Sequence, residues 1–125
     1  MTALDSAHAH LSKAREVLEA AEASPELELH NAAVSNAVIS GINSKDAICL
    51  TLVGRSKRGD NHDEARQELR VAGPAGQALE PTLGRLLRLK AKAQYQQGSV
   101  TASDAAKAVE WATRLQEGAH EVVIG

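Results

Sequence analysis

The chain has almost no aromatic side chains with which to fill a hydrophobic core. It contains no phenylalanine, one tryptophan (Trp111) and one tyrosine (Tyr95), although 43% of its 125 residues are hydrophobic. A core of this composition must be built from leucine, valine, isoleucine and alanine. These smaller side chains let neighbouring elements approach closely, which favours packed helices.

Apolar residues recur at α-helical spacing along the chain, and no segment shows the sustained alternation of a half-buried strand. The first predicted helix begins at Thr2 or Asp5 and ends before Ser24. Ser24 as N-cap and Pro25 as the first helical residue then predict a second helix that runs to Gly54. At about 1.5 Å per residue this helix would be about 43 Å long and form the spine of the fold.

The second half of the chain carries three more helix signals. A short helix is predicted over about 61–72, a fourth helix from Pro81, and a last helix with Thr101 as N-cap and Asp104 as its capping-box partner. The sequence therefore predicts an all-α, up-and-down bundle of four main helices and one short helix. A chain of 125 residues is large enough for one such domain, spanning 1–125, and too small for two ordinary ones.

A polar segment, Arg55-Ser-Lys-Arg-Gly-Asp-Asn-His62, separates the long second helix from the short third one. Gly54 suits the left-handed position that ends a helix, and Asn61 is a favoured N-cap with Glu64 three residues later. His62 is therefore expected in the first turn of the new helix. There the unsatisfied N–H groups and the helix dipole disfavour a protonated imidazole, so a neutral His62 can accept a proton.

Three cations of this segment lie just before the predicted turn, namely Arg55, Lys57 and Arg58. Guanidinium and ammonium groups bind phosphodiesters, and they stabilise the extra negative charge of a pentacoordinate phosphorus. A base together with such cations is the minimum needed for RNA cleavage without a metal. The alternative is a solvated loop of ordinary basic residues.

A second basic surface is predicted on the fourth helix, where Arg85, Arg88 and Lys92 are spaced i, i+3 and i+7. It either binds a nucleic-acid backbone, as an extension of the first patch, or is a solvated face. Tyr95 either stacks on a base or packs between helices. Because the net charge is −2, the chain as a whole does not attract nucleic acid, and binding would depend on these local patches.

The available residues argue against other kinds of site. The single cysteine, Cys49, cannot form an internal disulfide and falls on an apolar stripe. The acidic residues around His62 are better explained by helix capping, so neither a metal nor a cofactor is expected. No apolar run reaches membrane-spanning length and no secretory signal is present. We therefore expect no membrane association and a cytoplasmic location.

Four stretches of the chain, together with Arg55 and His62 separated by six residues, resemble the HEPN family (higher eukaryotes and prokaryotes nucleotide-binding). The stretches are Asn36–Cys49, Arg58–Ala65, Leu86–Tyr95 and Thr101–Ala112. The family is a compact helical bundle, and its active members are metal-independent endoribonucleases with an arginine followed at short spacing by a histidine. The resemblance implies that Arg55 stabilises the scissile phosphate, that His62 is the acid or base, and that Asp46 is an orienting neighbour.

The resemblance also implies partners. RNA would be the substrate, and a homodimer would line one cleft with two Arg–His pairs. The chain would be the toxin of a toxin–antitoxin or defence pair, with a nucleotidyltransferase as antitoxin. Two positions depart from the family pattern, because Glu64 stands where many toxin members have a tyrosine that the antitoxin modifies, and Ser56 follows the arginine where Asn, Asp or His is common. The alternative is a non-catalytic HEPN module that binds nucleotides or nucleic acid, or an accessory subunit of a nucleotidyltransferase.

Overall fold

The computed structural model describes residues 2–26, 29–57, 61–95 and 100–125, with the backbone alone for 24–26 and 94–95. Within these ranges the chain forms five α-helices and no strand. The helices are α1 (Ala3–Glu26), α2 (His30–Leu52), α3 (His62–Arg70), α4 (Pro74–Tyr95) and α5 (Ala102–Val123). The predicted all-α bundle of four main helices and one short helix is confirmed.

The helix α2 is central to the bundle, because it contacts each of the other four helices. Its small residues let those helices come close. Ala37 and Ala47 are completely buried. A Cβ added to Gly41 would lie 2.6 Å from Leu86 Cδ2 of α4 and 3.2 Å from Leu115 Cδ1 of α5. A core without phenylalanine is thus packed by alanine, glycine and leucine at short distances between helices.

Three helix boundaries lie where the sequence predicts them. Gly54 has a φ of +87° and follows the last turn of α2. Asn61 caps α3, because its Oδ1 accepts the Glu64 N–H at 3.0 Å. Thr101 and Asp104 make both bonds of a capping box at the start of α5, at 3.0 and 3.2 Å. Each of these boundaries depends on residues that are close in sequence, which is why local chemistry predicts them.

The second helix begins later than predicted. The first helix, α1, continues through Ser24 and Pro25 to Glu26, and α2 begins at His30 rather than at Pro25. Pro25 lies in the last turn of α1, where its missing N–H removes one hydrogen bond and its restricted φ remains compatible with a helix. As a result α2 has 23 residues and is shorter than the predicted spine.

The fourth helix begins earlier than predicted. Pro74 rather than Pro81 is its first residue, and Pro81 lies in its interior. The residue before Pro81 is held firmly, because buried Glu80 accepts hydrogen bonds from Arg66 at 3.0 Å and from Arg70 at 2.6 Å, both on α3. The turn after Pro81 is buried in the core. These contacts on both sides outweigh the backbone hydrogen bond that proline cannot make.

Replacing Gly54 by alanine is expected to lower the free energy of unfolding by about 1 kcal/mol, because a residue with a Cβ is strained at positive φ. Apart from its two chain neighbours, none of the described residues has an atom within 4 Å of a Cβ built there, so backbone strain is the dominant effect. Gly54→Asn is the matched control, because asparagine tolerates the left-handed region better and should lose less stability. Urea unfolding measures both variants, and an equal loss in the two would contradict the assignment.

Candidate functional site

Lys45 on α2 is buried, which is rare for an ammonium group. Its side chain is 1% exposed. The Nζ lies 2.7 Å from Asp46 Oδ1, 3.0 Å from Glu68 Oε1 and 2.9 Å from Ser56 Oγ. Burial by itself lowers the pKa of Lys45, but the hydrogen bonds and the attraction from Asp46 and Glu68 outweigh burial and raise that pKa. The ammonium group is therefore charged and fully paired.

The Lys45 network, comprising Lys45, Asp46, Ser56 and Glu68, holds the segment 55–57 that leads from α2 toward α3. Ser56 Oγ donates to Asp46 Oδ1 at 2.5 Å. The Lys57 N–H donates to Glu68 Oε2 at 2.7 Å, and the Lys57 carbonyl oxygen accepts from Lys45 Nζ at 3.4 Å. The two carboxylates thus bond both to the buried lysine and to the segment. This ties the segment to α2 and α3 through side-chain and main-chain atoms.

Two hollows border the Lys45 network, and a third shares residues with one of them. The Arg55 hollow, of about 360 Å³, has a lining that includes Val53, Arg55, Lys57, Glu68 and Val71. The His10 hollow, of about 370 Å³, has a lining that includes His10, Lys13, Asn43, Asp46 and Lys57. The His62 hollow, of about 170 Å³, has a lining that includes Ile42, Asn43, Asn61, His62 and Lys90.

The three hollows adjoin one another in a row. Lys57 lines both the Arg55 hollow and the His10 hollow, while Ile42 and Asn43 line both the His10 hollow and the His62 hollow. We call this row the polar track. Arg55 lines the hollow at one end of the row and His62 lines the hollow at the other.

His62 is the first residue of α3 and is half-buried, which confirms its predicted place in the first turn. Asn43 and Lys90 line the same hollow. An ammonium group binds a phosphate oxygen, and an imidazole next to it can exchange a proton with the same ligand. The His62 hollow thus holds the groups needed for proton transfer beside a phosphate.

A second histidine contributes to the polar track from α1. His10 Nδ1 lies 2.8 Å from Asn43 Oδ1 and 3.9 Å from Asp46 Oδ2. Asn43 Nδ2 donates to the Ile39 carbonyl oxygen at 2.9 Å, and this bond requires the amide oxygen to face the ring. Because Asn43 Oδ1 can only accept, Nδ1 of His10 carries the hydrogen.

The predicted site residues are distributed along the polar track rather than gathered at one point. Arg55 and His62 line separate hollows. Lys57 is exposed and lines two of the three hollows. Asp46 contacts Lys45 and Ser56 and lies near His10. These three side chains are therefore the ones that Asp46 can orient. Arg58 lies outside the described residues.

The residues of the predicted basic strip on α4 do not line the three hollows of the polar track. Lys92 forms an ion pair with Asp104 at 2.9 Å, and this hydrogen bond lowers the pKa of Asp104. Arg85 and Arg88 are exposed. Lys90, which lines the His62 hollow, is about 140–160° around the helix from all three strip residues. The cation that α4 contributes to the polar track is therefore Lys90, which sequence reasoning did not single out.

Sequence reasoning also missed Lys45, although the position of this lysine in the chain indicates that it is buried. It lies four residues after Gly41 and four before Cys49, on the side of α2 that carries the apolar stripe. A lysine at such a position must be paired to be buried. His10 and Glu68 had no such signal, because their partners come from other parts of the chain. His10 and Asn43 are 33 residues apart, and Lys45 and Glu68 are 23 residues apart.

Several other kinds of chemistry find no support in the described residues. Cys49 is buried as predicted, and burial raises the pKa of its thiol to about 11, so it is protonated at neutral pH. No group of three His, Cys, Asp or Glu side chains in the described part of the chain is placed to hold a metal ion. No helix among the same residues is long and apolar enough to cross a membrane.

Comparisons with models of known protein families and with curated proteins found no match for this chain. Its function must therefore be inferred from the residues and geometry of the polar track.

Replacing Lys45 by methionine is expected to lower the free energy of unfolding by about 3 kcal/mol, because it leaves Asp46 and Glu68 without their shared cation. Lys107→Met on α5 is the matched control. That lysine is exposed, and its loss should change stability by about 0.5 kcal/mol or less. Chemical denaturation of the three proteins checks this, and a similar small effect in both variants would show that the network contributes little.

The pH dependence of the same proteins tests whether the charge of Lys45 is responsible. Folding raises the pKa of Lys45 from about 10.5, so its contribution is complete below that pH and is lost as the pH rises through the folded value. The stability advantage of the wild type over Lys45→Met should therefore shrink above about pH 10.5. An advantage that stays constant through this range would rule out the charge as its source.

Proposed function

We propose that the protein is a metal-independent endoribonuclease of the HEPN type that cleaves RNA bound along the polar track. The observation that carries the proposal is the row of adjoining hollows. Arg55 lines one end of the row, on a segment held by the Lys45 network, and His62 lines the other end, in the first turn of α3. Between them the track offers lysine, histidine and amide groups suited to a phosphodiester backbone.

The polar track supplies local positive charge on a chain whose net charge is −2. Outside the Lys45 network, the described residues that line it include four cations, Lys13, Arg55, Lys57 and Lys90. The carboxylates of Asp46 and Glu68 bond to Lys45, which neutralises one of the two negative charges that they bring. A groove of this kind can follow the backbone of single-stranded RNA, because affinity for nucleic acid depends mainly on contacts to phosphate.

In the proposed reaction His62 removes the proton from a 2′-hydroxyl of the bound RNA. The 2′-oxygen attacks the adjacent phosphorus, and the bond to the 5′-oxygen breaks, so that a 2′,3′-cyclic phosphate and a 5′-hydroxyl result. Arg55 and the lysines of the track stabilise the additional negative charge on the phosphate oxygens. A base, an acid and cations suffice for these steps, and the proposal therefore includes no metal or cofactor.

A homodimer is part of the proposal, because Arg55 and His62 of one copy line separate hollows. Leu52 and Val53 near the end of α2 and Val71 after α3 are exposed hydrophobic residues, and two of them line the Arg55 hollow. A second copy of the chain could cover these residues and so bury hydrophobic surface beside Arg55. A role as a cytoplasmic toxin with a nucleotidyltransferase antitoxin is proposed from the resemblance alone.

The second candidate function is a non-catalytic module that binds nucleotides or nucleic acid, or that serves as an accessory subunit of a nucleotidyltransferase. The same separation of Arg55 and His62 favours it, because a binding groove needs no convergence of the two residues on one phosphate. Glu64 and Ser56, the two departures from the family pattern, are consistent with it. The two functions differ in whether bound RNA is cut.

The wild-type protein is expected to cleave single-stranded RNA in the presence of EDTA and to leave 2′,3′-cyclic phosphate ends. His62→Ala should be slower by about 10²-fold or more, because a general base contributes at least that much. The measurement is the single-turnover cleavage rate of a labelled oligonucleotide, with the product ends identified by mass spectrometry.

The matched control is His120→Ala, which removes an exposed histidine of α5 and should leave the cleavage rate unchanged. If the wild type binds the oligonucleotide but does not cut it, the binding or accessory function is correct instead. Cleavage by His62→Ala at the wild-type rate would exclude His62 as the base.

A further inference from the structure

We infer that His10 is a second proton-transfer residue of the polar track, and that it protonates the 5′-oxygen that leaves when RNA is cut. The inference rests on the proposed function and names a group that the Arg–His pair does not include. Removal of the 2′-hydroxyl proton needs a base, and departure of the 5′-oxygen needs an acid, so a reaction with His62 as base requires a second proton source.

The orientation of the His10 ring is fixed by Asn43. The Asn43 amide is oriented by its bond to the Ile39 carbonyl oxygen, at 2.9 Å, and its Oδ1 holds the Nδ1–H of His10 at 2.8 Å. With Nδ1–H occupied, Nε2 is the ring atom that gains and loses the exchangeable proton. Among the described residues no hydrogen bond to Nε2 competes with a ligand for it.

Charged side chains surround His10. Asp46 Oδ2 lies 3.9 Å from its Nδ1. Lys13 and Lys57 line the same hollow, while Lys45 is paired with Asp46 and Glu68. A phosphate in the His10 hollow would therefore meet two lysines and an imidazole that is a fifth exposed.

His10 and His62 line two hollows that share Asn43. Asn43 bonds to His10 and also lines the His62 hollow, so one residue connects the surroundings of the two histidines. RNA that follows the polar track past Asn43 would meet the His10 imidazole in one hollow and the His62 imidazole in the next. Asn43 is then a positioning residue, which holds the ring of His10 and borders both hollows.

The proton balance follows from these positions. His62 takes the 2′-hydroxyl proton as the 2′-oxygen bonds to phosphorus. The electron pair of the breaking P–O bond goes to the 5′-oxygen, which receives the Nε2 proton of His10. His10 ends as a neutral ring that keeps its Nδ1–H bond to Asn43, and His62 ends protonated. The products are the cyclic phosphate and the free 5′-hydroxyl, with no other reactant consumed.

A substrate with sulfur in place of the leaving 5′-oxygen tests this role. A thiolate departs without protonation, because a thiol is far more acidic than an alcohol, so this substrate needs no acid. His10→Asn should cut ordinary RNA at least about 10²-fold more slowly than the wild type and should cut the sulfur substrate at close to the wild-type rate. His62→Ala should be slow on both substrates, since the base is needed for either.

His8→Asn is the matched control, because His8 is exposed on the same helix two residues away, and both of its rates should equal those of the wild type. Urea unfolding of His10→Asn tests whether any loss of rate reflects loss of the fold.

An equal loss on the two substrates would overturn the inference and make His10 a structural link between α1 and α2. If the sulfur substrate restored the cleavage rate of His62→Ala and not that of His10→Asn, the two roles would be reversed and the inference would also be overturned. If the wild type cuts neither substrate, the proposed function fails and the role of His10 fails with it. If the wild type cuts both substrates and His10→Asn cuts them at the same rates, only the role of His10 fails.

Discussion

The charged ammonium group of Lys45 inside the bundle is the interaction on which the polar track depends. Taking a lysine out of water costs several kcal/mol, and here two carboxylates and a hydroxyl offset that cost. The same carboxylates bond to Ser56 and to the Lys57 backbone, so the lysine cannot be satisfied without fixing the segment that carries Arg55. Without Lys45 they would also present two negative charges to an approaching phosphate. The packing around Lys45 and the proposed site thus both depend on the ammonium group of this lysine.

Much of the fold was predictable because many of its determinants are local. The caps at Asn61 and Thr101 and the left-handed Gly54 depend on residues within a few positions of one another, and each was predicted correctly. Pro25 and Pro81 were misassigned as helix starts for the opposite reason. Their local preference is for a first turn, and their observed positions are decided by the rest of the helix, which for Pro81 includes hydrogen bonds from α3 to α4.

The site was predictable only in part. The place of His62 follows from the cap before it, so the sequence placed this histidine correctly. The burial of Lys45 and the contact between His10 and Asn43 depend on how α1, α2 and α3 pack together, and no spacing in the chain encodes that packing. Charge patterning pointed to Arg85 and Arg88, but patterning cannot show that Lys90 on the other side of α4 is the residue that lines the His62 hollow.

We propose that RNA binds along the polar track and that Lys45 holds the track in its binding form. The most direct test is an NMR titration of the labelled protein with an oligoribonucleotide whose 2′-hydroxyls are methylated, so that it binds and cannot be cut. The backbone amides of Lys13, Lys57 and His62 are predicted to shift, those of Arg85 and Arg88 to stay in place, and folded Lys45→Met to lose these shifts. Shifts confined to Arg85 and Arg88, or unchanged shifts in Lys45→Met, would contradict the claim.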